Sequence, residues 1–138
     1  MPIQDPLTER IIGCCFRVAN ELGHGFLEKV YENALAHELR KAGIGALQQQ
    51  GLEVFYDGVS VGVDQADFLV EGRVIVEVKA VQGVDDAHVA QCINDMKATR
   101  LETCLLVNFG RAKIQIRRLG LTRAAATGDV ELDVKDVQ

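Results

Sequence analysis

The chain has 138 residues, 48% apolar and 25% charged with only two prolines, which excludes a disordered or collagen-like polymer and fits one compact domain. Its formal net charge of −5 argues against an evenly basic nucleic-acid binder. The sum hides blocks, however: residues 1–99 hold 8 Lys/Arg against 15 Asp/Glu, residues 100–123 hold 6 against 1, and residues 124–138 hold 1 against 4. No apolar run approaches the roughly 18–20 residues that span a bilayer, and MPIQDPLTER lacks the apolar stretch of a signal peptide, so no membrane is expected and the cytoplasm is the expected compartment.

In chain order, Asp5, Pro6 and Glu9 form a helix start, with a cap, a residue suited to the first turn and an acid at the positive end of the dipole. Leu7, Ile11, Cys14, Cys15, Val18 and Leu22 continue a helical stripe, and Gly23-His24-Gly25 stops it. A second helix is predicted over about 26–42, with Leu27, Val30, Tyr31, Leu35 and Leu39 on one side, Glu38 at the stripe's edge and Gly43 at the end. From residue 47 the apolar period falls to two. Residues 50–56 and 59–63 flank Asp57-Gly58, a hairpin signal.

Residues 66–70 and 73–80 follow as strands joined around Glu71-Gly72, and 84–99 reads as a helix opened by Asp85 or Asp86. Two further strands are predicted at 103–108 and 113–119, and 120–138 reads as a loose C-terminal extension to a single domain over 1–119. A helix between sheet strands indicates a mixed α/β or α+β sandwich. Cys14, Cys15, Cys92 and Cys104 offer no C-x-x-C spacing and read as small apolar residues, and the three histidines match no zinc motif. The basic run 111–118 reads either as an edge strand guarded by charge or as a phosphate-binding surface.

One strand breaks its own pattern. In Val74-Ile75-Val76-Glu77-Val78-Lys79-Ala80 the three valines share a face, so Glu77 and Lys79 project together from the other. The plain reading is a solvated face or a structural ion pair, yet charges on a β-branched strand are costly unless paired or metal-bound. Asp67 in the preceding strand adds a second acid. A two-residue turn at 71–72 would set it opposite Val76 on the valine face, whereas a three-residue loop ending at Gly72 would set it opposite Ile75, beside Glu77 and Lys79. Two carboxylates and a lysine brought together suit phosphodiester hydrolysis. The acids hold a hard cation such as Mg²⁺, the metal acidifies a water, and the lysine stabilises phosphoryl charge.

Asp67 followed by Glu77-Val78-Lys79 resembles the D…E-x-K core of the PD-(D/E)XK nuclease-like superfamily. Gly25-Phe26-Leu27-Glu28-Lys29-Val30-Tyr31 is similar to the G-x-x-E-x-x-Y motif of the GxxExxY family within it, and Asn108-Phe109-Gly110 to that family's N-F-G turn. The resemblance runs from about residue 8 to 119. It implies a restriction-endonuclease-like core, a central mixed sheet flanked by helices, with two helices at the N-terminus. It implies Asp67, Glu77 and the Val78 carbonyl as ligands of Mg²⁺ or Mn²⁺, Lys79 as the catalytic lysine, and Glu28 as an acid added by the N-terminal helices.

Gln91 falls where related exonucleases carry Q-x-x-x-Y, but Asp95 stands in the tyrosine's place. An acid there would repel a phosphate or enlarge the metal site. The expected activity is metal-dependent cleavage of nucleic acid, DNA before RNA. With five Phe, two Tyr and no Trp, contact is expected to follow the backbone rather than stack bases. The alternative is a non-enzymatic module of the same fold that binds nucleic acid or a protein. Monomer or homodimer is left open.

Overall fold

The computed structural model describes residues 5–123 and 130–137. The stripe beginning at Leu7 folds into α1 (Pro6–Leu22), where Asp5 Oδ1 accepts a hydrogen bond from the Leu7 amide at 2.9 Å and Gly23, with φ 69°, ends the helix. α2 (Glu28–Lys41) follows, with Tyr31, Leu35 and Leu39 buried. Glu38 sits at the stripe's edge as predicted and pairs with Arg17 and Lys41.

β1 (Ala46–Tyr56) and β2 (Val59–Val70) form the hairpin around Asp57 and Gly58, both with positive φ as a primed turn requires. The runs at 59–63 and 66–70 are thus one strand. β1 and β2 outrun β3 (Val74–Lys79), and Phe55, Tyr56, Val59, Val61 and Val63 stay exposed near the hairpin tip. α3 (Asp86–Thr99) crosses from β3 to the parallel β4 (Thr103–Asn108), and Asp85 and His88 cap its start reciprocally. β5 (Gln115–Arg123) and β6 (Val130–Val137) complete a sheet of order β1-β2-β3-β4-β5-β6, antiparallel except at β3–β4.

The sheet has a core on each face. Val74, Val76 and Val78 pack with Ile11, Val18, Leu35 and Leu39 beneath α1 and α2, whereas Ile75, Cys104, Leu106 and Leu119 pack with Cys92 and Met96 of α3. Each such buried aliphatic side chain contributes roughly 1.5–3 kcal/mol, so the alternation on β3 fixes which way its acid and lysine point. The mixed sheet flanked by helices is the architecture expected. All four cysteines are buried and free, in keeping with their reading as apolar residues.

Two readings of the C-terminal third change. The segment 120–138, read as a loose extension, supplies the end of β5 and all of β6, while its residues 124–129 and 138 lie outside the described residues. The part of the basic run that enters β5, residues 115–118, is consequently no edge strand: β6 covers β5, and Arg117 pairs with Asp136 and Arg118 with Glu9. Among the described residues, no helix is long and apolar enough to cross a membrane.

Candidate active site

The loop between β2 and β3 settles the position of Asp67. Residues 71–73 form the turn, Val70 pairs with Val74 and Leu69 with Ile75. That register differs from both predicted ones, because Arg73 joins the loop. Its parity is that of the three-residue loop, and continuing it sets Asp67 across from Glu77.

The regular ladder stops at Phe68↔Val76, and beyond it the two acids take over the pairing. The Asp67 amide donates to Glu77 Oε1 at 2.9 Å, and the Val78 amide donates to Asp67 Oδ2 at 2.7 Å. Each carboxylate thus satisfies a backbone donor freed where the strands part. Gln49, opposite this point on β1, adopts φ 55°, and the strands turn over there: Phe68 belongs to the α1–α2 core but Ala66 to the α3 core. Strain of this kind collects at functional sites.

Glu77 and Lys79 share the α3 face, as the alternation predicts. Lys79 Nζ donates to Gln91 Oε1 at 3.2 Å, which joins two of the sequence-predicted residues directly. Glu28 lies in the first turn of α2, exposed yet within electrostatic reach of Lys79, Asp67 and His88. Partial desolvation raises its pKa, and Lys79 opposes that shift.

The motifs around these residues act as braces. The Tyr31 hydroxyl donates to the Gly23 carbonyl at 2.7 Å and accepts from the Phe26 amide at 3.2 Å, which shapes the turn that presents Glu28. The Tyr31 ring stacks on Phe109 with centroids 4.8 Å apart, and the Phe109 amide donates to the Lys79 carbonyl at 2.8 Å. Asn108, fully buried, ties the loop after β3 to the loop after β4: Oδ1 accepts from the Val81 and Gly110 amides, and Nδ2 donates to the Val81 carbonyl.

Sequence reasoning missed two further members. Glu32, 2% exposed, accepts from Lys29, Gln48 and Gln49, and Gln49 Nε2 also donates to Asp67 Oδ1 at 3.2 Å. Burial pushes the Glu32 carboxyl up, but the bonds from Gln48, Gln49 and Lys29 outweigh it and the net shift is downward. The signal for Glu32 was its spacing, four residues after Glu28 on one helix face. Nothing in the sequence announces the left-handed Gln49.

Asp95 is the feature least like a standard core. It is fully buried, as is Glu77 at 1% exposure, and Asp95 Oδ1 and Oδ2 and Glu77 Oε2 have no hydrogen-bond donor. The two carboxyls face each other, and Asp64 approaches Asp95 from β2. Burial pushes both pKa values up, Glu77 to about 7 and Asp95 further, where the neighbouring Glu77 and Asp64 carboxyls add to the shift.

Such a carboxyl keeps its proton longer in the folded than in the unfolded chain, so its contribution favours folding at low pH and is lost as pH rises. In EDTA, the wild type is therefore expected to lose stability relative to Asp95→Asn as pH rises from 3.8 towards about 10, the range over which the buried Asp95 carboxyl keeps its proton only in the folded chain. Urea unfolding of both proteins across that range measures this, and parallel pH curves would contradict it.

A family model for the PD-(D/E)XK nuclease superfamily matches residues 5–119. The chain belongs to that superfamily. Neither the curated proteins nor the solved structures give a match. PD-(D/E)XK nucleases generally use Mg²⁺ or Mn²⁺. Among the described residues, no group of three or more His, Cys, Asp or Glu is arranged to enclose a metal ion. Pairs of carboxylates remain, and Mg²⁺ is commonly bound through one or two carboxylates with waters completing its shell. The unpartnered carboxylate oxygens at Glu77 and Asp95 are hard donors, so the residues present fit such a cation.

Proposed function

We propose that the protein is a divalent-metal-dependent nuclease that hydrolyses phosphodiester bonds, in the GxxExxY branch of its superfamily. The observation that carries this reading is the convergence, at the point where β2 leaves β3, of Asp67, Glu77 and a lysine oriented by Gln91. Asp67, Glu77 and the Val78 carbonyl would hold Mg²⁺ or Mn²⁺. When bound, the metal supplies an acidified water and neutralises charge on the phosphoryl group.

Lys79 Nζ, kept in place by Gln91 Oε1, carries the positive charge that meets a non-bridging phosphate oxygen as negative charge builds on it. Glu28, whose partial burial favours the protonated form relative to a free glutamate, holds or receives a proton at the edge of the site. DNA stands ahead of RNA as substrate, with contacts directed to the backbone.

A second reading, a binding module without hydrolysis, is favoured by one observation. Three of the four carboxylate oxygens of Asp67 and Glu77 already accept bonds from within the chain. A cleavage screen with single- and double-stranded DNA and RNA, in Mg²⁺ and in Mn²⁺, separates the two. Metal-dependent cleavage by the wild type, abolished in Glu77→Ala, is the expected result. No cleavage of any substrate with either metal would leave only the module.

A further inference from the structure

Three buried carboxylate oxygens, Glu77 Oε2 and both oxygens of Asp95, have no donor, and the two of Asp95 have no part in the proposed hydrolysis. Buried polar atoms in folded proteins almost always have a partner, and a group that lacks one calls for a water, an ion or a special role. Among the described residues, no Lys, Arg or His forms an ion pair with either side chain. Lys79, on the same strand face as Glu77, instead donates to Gln91.

The two side chains come from different elements, β3 and α3, and are held there by the apolar packing around them. Cys92 and Met96, on either side of Asp95 in α3, are fully buried against Ile75, Cys104 and Leu106. Neither carboxylate can swing out to solvent without unpacking this helix from the sheet. A cavity of about 600 Å³ opens beside α3, lined by Asp64, Asn94, Lys97 and Arg100 together with Val54 and Phe55. Asp64, which approaches Asp95, stands at its wall and is only partly buried.

We infer that Asp95 is a ligand for a divalent cation of the Mg²⁺ or Mn²⁺ type, which it holds together with Glu77 Oε2, with Asp64 at the cavity side of the site. Oxygen donors of this kind select hard cations over soft ones, and two carboxylates suffice where water fills the remaining positions. The inference rests on the nuclease reading only in taking a divalent cation as the site's partner, and it does not require hydrolysis. It gives the acid that departs from Q-x-x-x-Y a role: it extends the oxygen donors of Glu77 towards α3.

The test is Mn²⁺ binding by calorimetry, with thermal unfolding in EDTA and in Mn²⁺, on the wild type, Asp95→Asn and Asp67→Asn. Asparagine keeps the shape of the side chain, and its amide can donate to Glu77 Oε2 and to Asp64, so Asp95→Asn folds at least as well as the wild type in EDTA. It is expected to weaken Mn²⁺ binding by at least about tenfold and to lose the rise in melting temperature that Mn²⁺ gives the wild type. Asp64→Asn is expected to weaken binding less.

If Asp95→Asn binds Mn²⁺ like the wild type while Asp67→Asn does not, this inference is overturned and the nuclease reading stands. Mn²⁺ bound through Asp95 in a protein that cleaves nothing supports the inference and removes the nuclease reading. A wild type that binds no Mn²⁺ overturns both. Should Asp95→Asn fail to fold, Asp95→Glu keeps the carboxylate, and its failure to bind Mn²⁺ when folded would leave geometry as the discriminating factor, supporting the assignment. Binding by folded Asp95→Glu, with Asp64→Asn unaffected at every Mn²⁺ concentration, would overturn the placement of Asp64.

Discussion

Lys79→Ala is expected to lower phosphodiester cleavage by about 10²–10³-fold, the usual cost of removing one preorganised charge from a developing anion. Lys79 is not among the oxygen donors, so its loss should leave Mn²⁺ affinity unchanged. The same variant also frees Gln91, whose side-chain carbonyl accepts from Lys79 Nζ at 3.2 Å. Gln91→Ala should therefore have a smaller effect of the same kind, because it loosens the lysine without removing its charge. Steady-state cleavage beside calorimetry measures both effects. A Lys79→Ala protein that cleaves at the wild-type rate, or that loses its cation, would show that the lysine serves packing or pairing rather than chemistry.

Gly110→Ala is expected to destabilise the fold by about 3 kcal/mol, a lowering of the melting temperature of roughly 10 °C. A Cβ at this position would lie 2.6 Å from the Ala80 carbonyl carbon and would overlap the Val81 amide and carbonyl. These are backbone atoms, held in turn by Asn108, so they cannot give way as a flexible side chain would. Relieving the clash means breaking the link between the loops after β3 and β4, which also carries the Lys79 carbonyl bond to Phe109. The damage should therefore reach the site as well as the stability. Gly13→Ala is the matching control: that glycine lies inside α1 with nothing within 4 Å, so alanine there should be neutral or favourable by up to about 1 kcal/mol. Thermal unfolding of both variants decides, and equal stabilities would refute the close-approach account.

Much of the local structure was legible because it obeys short-range rules. Asp5, Pro6 and Gly23 bound α1 as capping chemistry dictates, Asp57-Gly58 makes the hairpin turn, and 103–108 is β4 to the residue. The side on which Glu77 and Lys79 project was equally readable, because the strand period of two leaves no freedom once three valines claim the other face. Even the parity that brings Asp67 to Glu77 was one of two readings the loop allowed. The motifs Gly25–Tyr31 and Asn108–Gly110 were readable as patterns, but their work as braces became clear only when Tyr31 was found stacked on Phe109.

What the sequence determined by itself, then, was the order of elements, the fold class and the candidate acids and lysine, each written in a local pattern of charge and apolarity. The tertiary structure decided what depends on which segments meet. The tail joins the sheet as β6 and makes β5, with residues 115–118 of the basic run, an interior strand, a pairing that the weak periodicity of the tail does not announce. Glu32 reaches Asp67 only through Gln49, a strand residue with positive φ, and no propensity predicts that contact. The carboxyl of Asp95 faces Glu77 because α3 packs across β3, and its burial without donors is a property of that packing alone. Local rules act through neighbours in the chain, whereas desolvation and the pairing of distant charges follow from neighbours in space.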